Sequence, residues 1–383
     1  MYFYNKHNIS KNDINEVVSA LKSSTITKGK YLNLFESKLK KYFNSKYALV
    51  FTNATMALFA ISKCLHWGKN DYIVLSPITF VAGANAVLNQ ESNPVFVDID
   101  KYSNLDPFLT ENKIIELKKK KKKVKAIIVT DYGGNPANWK EFYKLKRKYN
   151  ILLINDNCHA FGSSIDNSKN YAARYADIVV QSFHAVKNIT TAEGGAIIFN
   201  KKSLNEKFKS IREHGFLTNK KNPWSYEINC VGYNARLSEL NCALGVSQMK
   251  RLNFFVKERN KIAKYYNKKF AKVANLKIPE IAKNNFCSYH LYPLKFDWNK
   301  IGISKHKFYK ILKEKYGINL QIHYKPTYKF NHIKSKVKIK LSEFKNTEKF
   351  YKEVFSIPLY VGLKLKNLNY ISNSIIKTLK KKA

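Results

Sequence analysis

At 383 residues the chain exceeds the ~100–200 residues of one ordinary domain, and its 45% hydrophobic content excludes a disordered polymer. No apolar run approaches the ~20 residues of a membrane helix, Met1–His7 lacks the pattern of a secretory signal, and five scattered cysteines fit neither a metal site nor a disulfide framework. Sixty-nine lysines and arginines against 27 acids give a formal charge of +42; the excess is lysine spread along the whole chain with abundant asparagine and isoleucine, a base-composition pattern, so nucleic acid is not expected as a partner.

A cytoplasmic protein with free thiols, no metal and no membrane association is therefore expected. Residues 9–22 and 31–43 predict helices, and Tyr47–Phe51 a strand. From there strands and helices alternate: strand Tyr72–Leu75, an alanine-rich helix Phe80–Leu88 opened after Pro77, strand Pro94–Val97, a helix-like Asp106–Leu117 and strand Ala126–Thr130. The lysine run Lys118–Lys123 reads as a solvated helix end or loop. Helix Ala137–Tyr149 precedes strand Ile151–Ile154, and strands Asp177–Gln181 and Ala196–Phe199 complete a seven-strand pattern. Helices Arg236–Met249 and Arg251–Phe270 lead to a second α/β region from Tyr289 onward, with Lys380–Lys382 as a frayed end. The expectation is an α/β protein with a mostly parallel, helix-covered sheet in a large domain over residues 1–245, and a smaller α/β domain over 246–383.

Three segments carry chemistry. Ser182-Phe183-His184-Ala185-Val186-Lys187 with Thr190-Thr191-Ala192-Glu193-Gly194-Gly195 sets one lysine in a polar turn between two strands. Burial there disfavours the ammonium, and a neutral amine attacks a carbonyl, as pyridoxal phosphate (PLP) chemistry requires. Asn155-Asp156-Asn157-Cys158-His159 puts a carboxylate at the carboxyl end of a buried strand, where open α/β sheets hold ligands. Cys158 has no paired base and reads as packing. Thr52-Asn53-Ala54-Thr55 turns a strand into a helix whose free amides suit a phosphate.

The order phosphate turn, aromatic, aspartate, lysine resembles the DegT/StrS family of PLP-dependent nucleotide-sugar aminotransferases. The resemblance runs from Thr27-Lys28-Gly29-Lys30 through Gly232-Tyr233-Asn234-Ala235-Arg236 to His323-Tyr324-Lys325-Pro326. It implies the type I aminotransferase fold, with Lys187 as attachment point and proton carrier; relatives with histidine there dehydrate, so lysine implies transamination. It further implies Asp156 on the pyridinium and Phe80 stacked on the ring. Ala54, Thr55 and Ser182 would hold the phosphate. Asn234 would reach the phosphate from a neighbouring subunit, giving a homodimer with shared active sites. His159 either touches the cofactor or supports Asp156, Arg236 serves the site or a buried ion pair, and Glu193 has no assigned role. Thr27, His323, Tyr324 and Lys325 would border the sugar-nucleotide pocket.

Within the family the wording, including Ser288-Tyr289-His290-Leu291-Tyr292-Pro293, is most similar to the pseudaminic-acid branch. That implies transfer from glutamate to C4 of a UDP-4-keto-6-deoxy-N-acetylhexosamine, yielding UDP-4-amino-4,6-dideoxy-N-acetyl-β-L-altrosamine for surface or flagellin glycosylation. The alternatives are another nucleotide-linked keto sugar, or a non-catalytic basic nucleic-acid-binding or regulatory protein on the same fold.

Overall fold

The computed structural model describes residues 1–218, 222 and 224–380, with the backbone alone at 217 and 218. Lys381 and Lys382 of the expected frayed end thus lie outside the described residues. The sheet strands are β1 (Tyr47–Phe51), β2 (Asp71–Leu75), β3 (Asn93–Phe96), β4 (Lys123–Thr130) and β5 (Leu152–Asp156). A two-residue strand, β6 (Ser164–Ile165), pairs outside the sheet with Asn285–Phe286, before β7 (Ile178–Ser182) and β8 (Gly195–Phe199) return to it. The order is β1-β8-β7-β5-β4-β2-β3, and β8 alone runs against the direction of the other six. Both faces are covered, which is why these strands read as nearly unbroken apolar runs. Parallel pairing of β4, β5 and β7 brings Thr130, Asp156 and Ser182 to one sheet edge.

The helices α1 (Lys11–Leu21), α2 (Lys30–Phe43), α3 (Ala54–Cys64), α4 (Ala82–Leu88), α5 (Pro107–Lys119) and α6 (Trp139–Tyr149) follow the expected alternation. Ser10 and Asp13 form a capping box on α1, Asn53 caps α3, and Asp106 accepts the Phe108 and Leu109 amides at the start of α5. The helix expected from Phe80 starts two residues later, leaving Phe80 in the preceding turn. All six residues of Lys118–Lys123 are exposed, spread over the end of α5, a turn and the first residue of β4. The chain continues through α7 (Tyr171–Tyr175), α8 (Lys202–Arg212), α9 (Glu239–Lys250) and α10 (Leu252–Phe270). The helix expected from Arg236 begins later because the Ser238 side chain caps α9.

The smaller sheet joins Leu276–Lys277, Pro293–Phe296 and Val354–Ser356. Residue 245 lies inside α9, whose Cys242, Ala243 and Val246 belong to the large-domain core. The core changes along α10: Leu252, Phe255 and Val256 pack with the large domain, Ile262, Tyr266 and Phe270 with the small one. The first residues also join the small domain, since the Tyr2 amide donates to Gly317 and its carbonyl accepts from Asn319. Tyr328, Ile333 and Phe344 turn back into the large-domain core.

Glu239 fixes the start of α2 from 208 residues away. It is fully buried, and its carboxylate oxygens accept the Tyr31 and Leu32 amides at 2.7 and 2.9 Å. Gly29 makes room for it, because a Cβ there would stand 2.7 Å from Glu239 Oε2. Glu239→Ala strands two buried donors and is expected to cost about 2–4 kcal/mol. Urea unfolding checks this, and a loss under about 0.5 kcal/mol, below one ordinary hydrogen bond, would show that the cap is replaceable.

Candidate active site

Asp156 ends β5 nearly buried, with Oδ1 accepting the Cys158 amide at 3.3 Å and Oδ2 accepting the Thr130 hydroxyl at 3.2 Å. Thr130 has one hydroxyl proton, which the carboxylate claims. Thr79, 3.0 Å away, therefore supplies the proton between the two hydroxyls. Beside it lies a carboxylate that the sequence reading missed. Asp131 is buried and accepts from Ala137 N (2.8 Å), Trp139 Nε1 (2.8 Å), Tyr171 Oη (2.7 Å), Asn157 Nδ2 (2.9 Å) and Asn155 Nδ2 (3.2 Å). Burial pushes its pKa up to about 6 against the Ala137, Tyr171, Trp139 and Asn155 donors.

Lys187 occupies the turn after β7, half-buried, with its amide on the His184 carbonyl at 2.9 Å. Burial of the amine lowers its pKa, opposed by Cys158 and Asp156. Burial also pushes the Cys158 thiol well above its ordinary value, so that thiol is neutral near pH 7 and Asp156 is the effective counter-charge. A packing role for Cys158 agrees with this.

His159 lies among three aromatic neighbours. Its Nδ1 faces the Gly133 amide at 3.2 Å, and an amide only donates, so Nδ1 accepts and the ring proton sits on Nε2. Nε2 meets the Tyr324 hydroxyl at 3.0 Å, and the two rings stack with centroids 5.8 Å apart. No hydrogen bond joins His159 to Asp156 among the described residues. Burial holds His159 well below the ordinary histidine range, aided by Lys187 and His323. His290, another residue given no role from sequence, is buried with its ring centroid 4.4 Å from that of His159.

Phe80 is 57% exposed in the turn before α4, its ring centroid 6.2 Å from Tyr324. Asn53 Oδ1 takes the Met56 amide at 2.8 Å, which leaves the Ala54 and Thr55 amides at the start of α3 with no helical acceptor. Gly195 backs this turn; a Cβ there would come within 2.4 Å of Ala54 N. Ser182 pairs with Gly195 in register and so stands at the same turn. Only glycine permits that approach.

The four expected sugar-pocket residues separate. Tyr324 joins the site through His159. His323 is a buried strut: Nδ1 lies 2.9 Å from the Ser356 hydroxyl, and its carbonyl accepts the Tyr132 hydroxyl. Lys325 is exposed, with Nζ 5.2 Å from the Phe330 ring centroid. Thr27 is exposed beside Lys28, which pairs with Glu213, and Glu213 bridges to Asn234 through the backbone. Asn234 is exposed and precedes Ala235, whose carbonyl accepts the Thr52 amide at 2.9 Å next to the phosphate turn. Within one chain, Thr27 thus belongs with Asn234 and not with the His159–Tyr324 group. Arg236 is half-buried; against burial, which raises the Glu213 pKa, the charges of Lys28, Arg212 and lastly Arg236 lower it.

The set fits PLP: free amides behind a glycine for a phosphate, a strand-end carboxylate for a ring nitrogen, a desolvated amine for an aldehyde and an exposed aromatic plane. Fold and site together define a PLP-dependent aminotransferase of the type I fold. The chain belongs to the DegT/DnrJ/EryC1/StrS aminotransferase family, which it matches over residues 7–376. It is 36% identical to the UDP-4-amino-4,6-dideoxy-N-acetyl-beta-L-altrosamine transaminase of Campylobacter jejuni, covering 100% of this chain and 98% of that protein. The Helicobacter pylori transaminase of the same name is 34% identical, covering 98% and 97% of the two chains. The structure of Helicobacter pylori PseC, described as an aminotransferase of pseudoaminic acid biosynthesis, superposes with a TM-score of 0.91 at 32% identity over 99% of both chains.

Burial lowers the His323 pKa from 6.5 to about 3, with Lys187 contributing. Between those values the unfolded chain binds a proton that the native chain does not. The associated stability is complete above pH 6.5 and is lost on acidification at about 1.4 kcal/mol per pH unit. His323→Asn removes this term, so stability should fall by about 2 kcal/mol less between pH 7 and pH 5 than in the wild type. Urea unfolding at both pH values measures it; equal acid sensitivity would show that His323 titrates normally.

Proposed function

We propose that the protein transfers an amino group from glutamate to C4 of a UDP-linked 4-keto-6-deoxy-N-acetylhexosamine. The product would be UDP-4-amino-4,6-dideoxy-N-acetyl-β-L-altrosamine, for pseudaminic-acid synthesis and flagellin glycosylation. The observation that carries this reading is the match, over nearly the whole chain, to two transaminases named for that sugar. A cytoplasmic setting accords with five free cysteines among the described residues.

When bound, PLP supplies an aldehyde that accepts the amino group and a ring that withdraws electrons. Lys187 would hold the cofactor at its aldehyde through the neutral amine, the form that burial favours. When free, its Nζ would move a proton between the cofactor and the carbon of the donor, and later of the acceptor. Asp156, its geometry set by Thr130 and the Cys158 amide, holds a proton on the ring nitrogen. Phe80 offers one ring face a plane. Ala54, Thr55 and Ser182 bind the phosphate. His159 keeps Tyr324 in place with its Nε2 proton and, being neutral, adds no charge beside the ring. Tyr324 and Lys325 line the sugar-nucleotide side, and His323 holds that segment from below. Thr27 and Asn234 act on the partner subunit's site, which makes the active form a homodimer.

Lys187→Ala is expected to keep its thermal transition and lose multiple-turnover amination, read by mass spectrometry of the nucleotide sugar across UDP- and dTDP-linked 4-keto acceptors. Activity near wild type would remove Lys187 from the chemistry, and preference for another acceptor would overturn the named sugar. Asp156→Asn should slow single turnover with glutamate by at least about tenfold, since an amide stabilises the protonated ring less than a carboxylate does. An unchanged rate would place the ring nitrogen elsewhere.

Mixing Lys187→Ala with Asn234→Ala subunits tests the shared site. At limiting PLP, the mixed dimers should turn over better per intact lysine than the Asn234→Ala parent. A mixture equal to the average of its parents, with exchange confirmed, would place Asn234 in its own subunit's site or outside any site.

A further inference from the structure

Arg259 lies on α10 where the two cores meet and is 2% exposed. It has no carboxylate partner among the described residues. Its Nη1 donates to the carbonyls of Tyr289 (3.2 Å), His290 (3.4 Å) and Leu359 (3.1 Å), and its Nη2 to Asn5 Oδ1 (3.0 Å). A buried guanidinium is tolerated only when so bonded. Burial lowers its pKa to about 10.

That cation decides how Asn5 points. Guanidinium groups only donate, so the Asn5 oxygen must face Arg259, where it also accepts the Lys6 amide at 2.8 Å. The Asn5 amide nitrogen then faces the other way and donates to the Val186 carbonyl at 2.8 Å and the His290 carbonyl at 3.4 Å. The Val186 carbonyl and the Lys187 N–H belong to one peptide group. Asn5 holds its oxygen, and the His184 carbonyl holds its N–H at 2.9 Å. On the far side, Asn188 Nδ2 donates to the Phe161 carbonyl at 2.7 Å. The backbone carrying Lys187 is thereby fixed before, at and after the lysine.

We propose that Asn5, oriented by Arg259, is a positioning residue for Lys187: it joins the leading segment and the small domain to the peptide that carries the cofactor lysine. This rests on Lys187 being the lysine that PLP engages. The role is separable from a purely structural one because Asn5→Asp divides it. Aspartate keeps the acceptor for Arg259 and adds a charge to that pair. It has no donor for Val186, whose carbonyl it repels.

The experiment adds PLP to apoenzyme and follows the rate and dissociation constant of lysine attachment by visible absorbance, beside apoenzyme melting and the sugar KM. Asn5→Asp should melt no lower than Asn5→Ala, attach PLP about two- to tenfold more slowly or weakly than wild type, and keep the sugar KM within about twofold. Attachment within about twofold of wild type, below the span of one lost hydrogen bond, overturns the proposal and leaves Asn5 a structural residue. Should Asn5→Asp not fold, Arg259→Lys replaces it: a rotatable ammonium no longer dictates the Asn5 orientation, so slowed attachment supports the proposal and a wild-type rate overturns it. Lys187→Ala is the control. If it develops the same absorbance, the assignment of Lys187 fails whatever Asn5 does.

Discussion

Five donors converge on the Asp131 carboxylate, and the two side-chain amides among them come from Asn155 and Asn157, the residues on either side of Asp156. A buried carboxylate left unpaired would be too costly to keep, so those five groups are bound to meet there. The consequence is local rigidity. With both neighbours anchored to Asp131, Asp156 takes the Cys158 amide on Oδ1 and the Thr130 hydroxyl on Oδ2. Strand β5 brings the acid to the sheet edge, Asp131 holds its two neighbours, and Thr130 with the Cys158 amide orients its carboxylate.

The same low-polarity surroundings act on the bases. His159, His290 and His323 are all driven toward the neutral form by burial, and each also feels Lys187. One positive charge in this region discourages the others. On the proposed reading that arrangement helps, because Lys187 would be the group whose proton must come and go, and neutral imidazoles do not compete for it. Their nitrogens serve as hydrogen-bonding groups instead, as the Gly133–His159–Tyr324 chain shows.

All seven strands of the large sheet were legible in the sequence, because strands buried on both faces leave long apolar runs separated by polar turns. Lys187, Asp156 and the Ala54–Thr55 turn could be singled out as candidates for a related reason: each interrupts an apolar run at a sheet edge. Strand order was not, and neither was Asp131, since its five partners lie along residues 137–171 and only the fold brings them to one point. Glu239 reads as an ordinary acid early in a helix until α2 is placed against it. Asn5 and Arg259 share no local pattern and meet across 254 residues. The start of α4 slipped because alanine-rich sequence continues a helix pattern backward without marking where Phe80 must stay outside it.

The formal charge of +42 also takes on a different meaning once the acids are located. Several of the few carboxylates are committed inside: Asp131 to its five donors, Glu239 to α2, Asp13 to Gln248 and Arg251, and Asp98 to the Asn346 and Thr347 amides. Lysines such as the run 118–123 stand in solvent. The surplus is therefore a surface field, screened over about 8 Å at physiological ionic strength. The uncharged amides at the start of α3, half-buried and free of helical acceptors, are the anion site of the proposed reading. On that reading surface lysines would hasten the arrival of a diphosphate, while the phosphate would be recognised by backbone geometry, which depends on the absence of a single Cβ at Gly195.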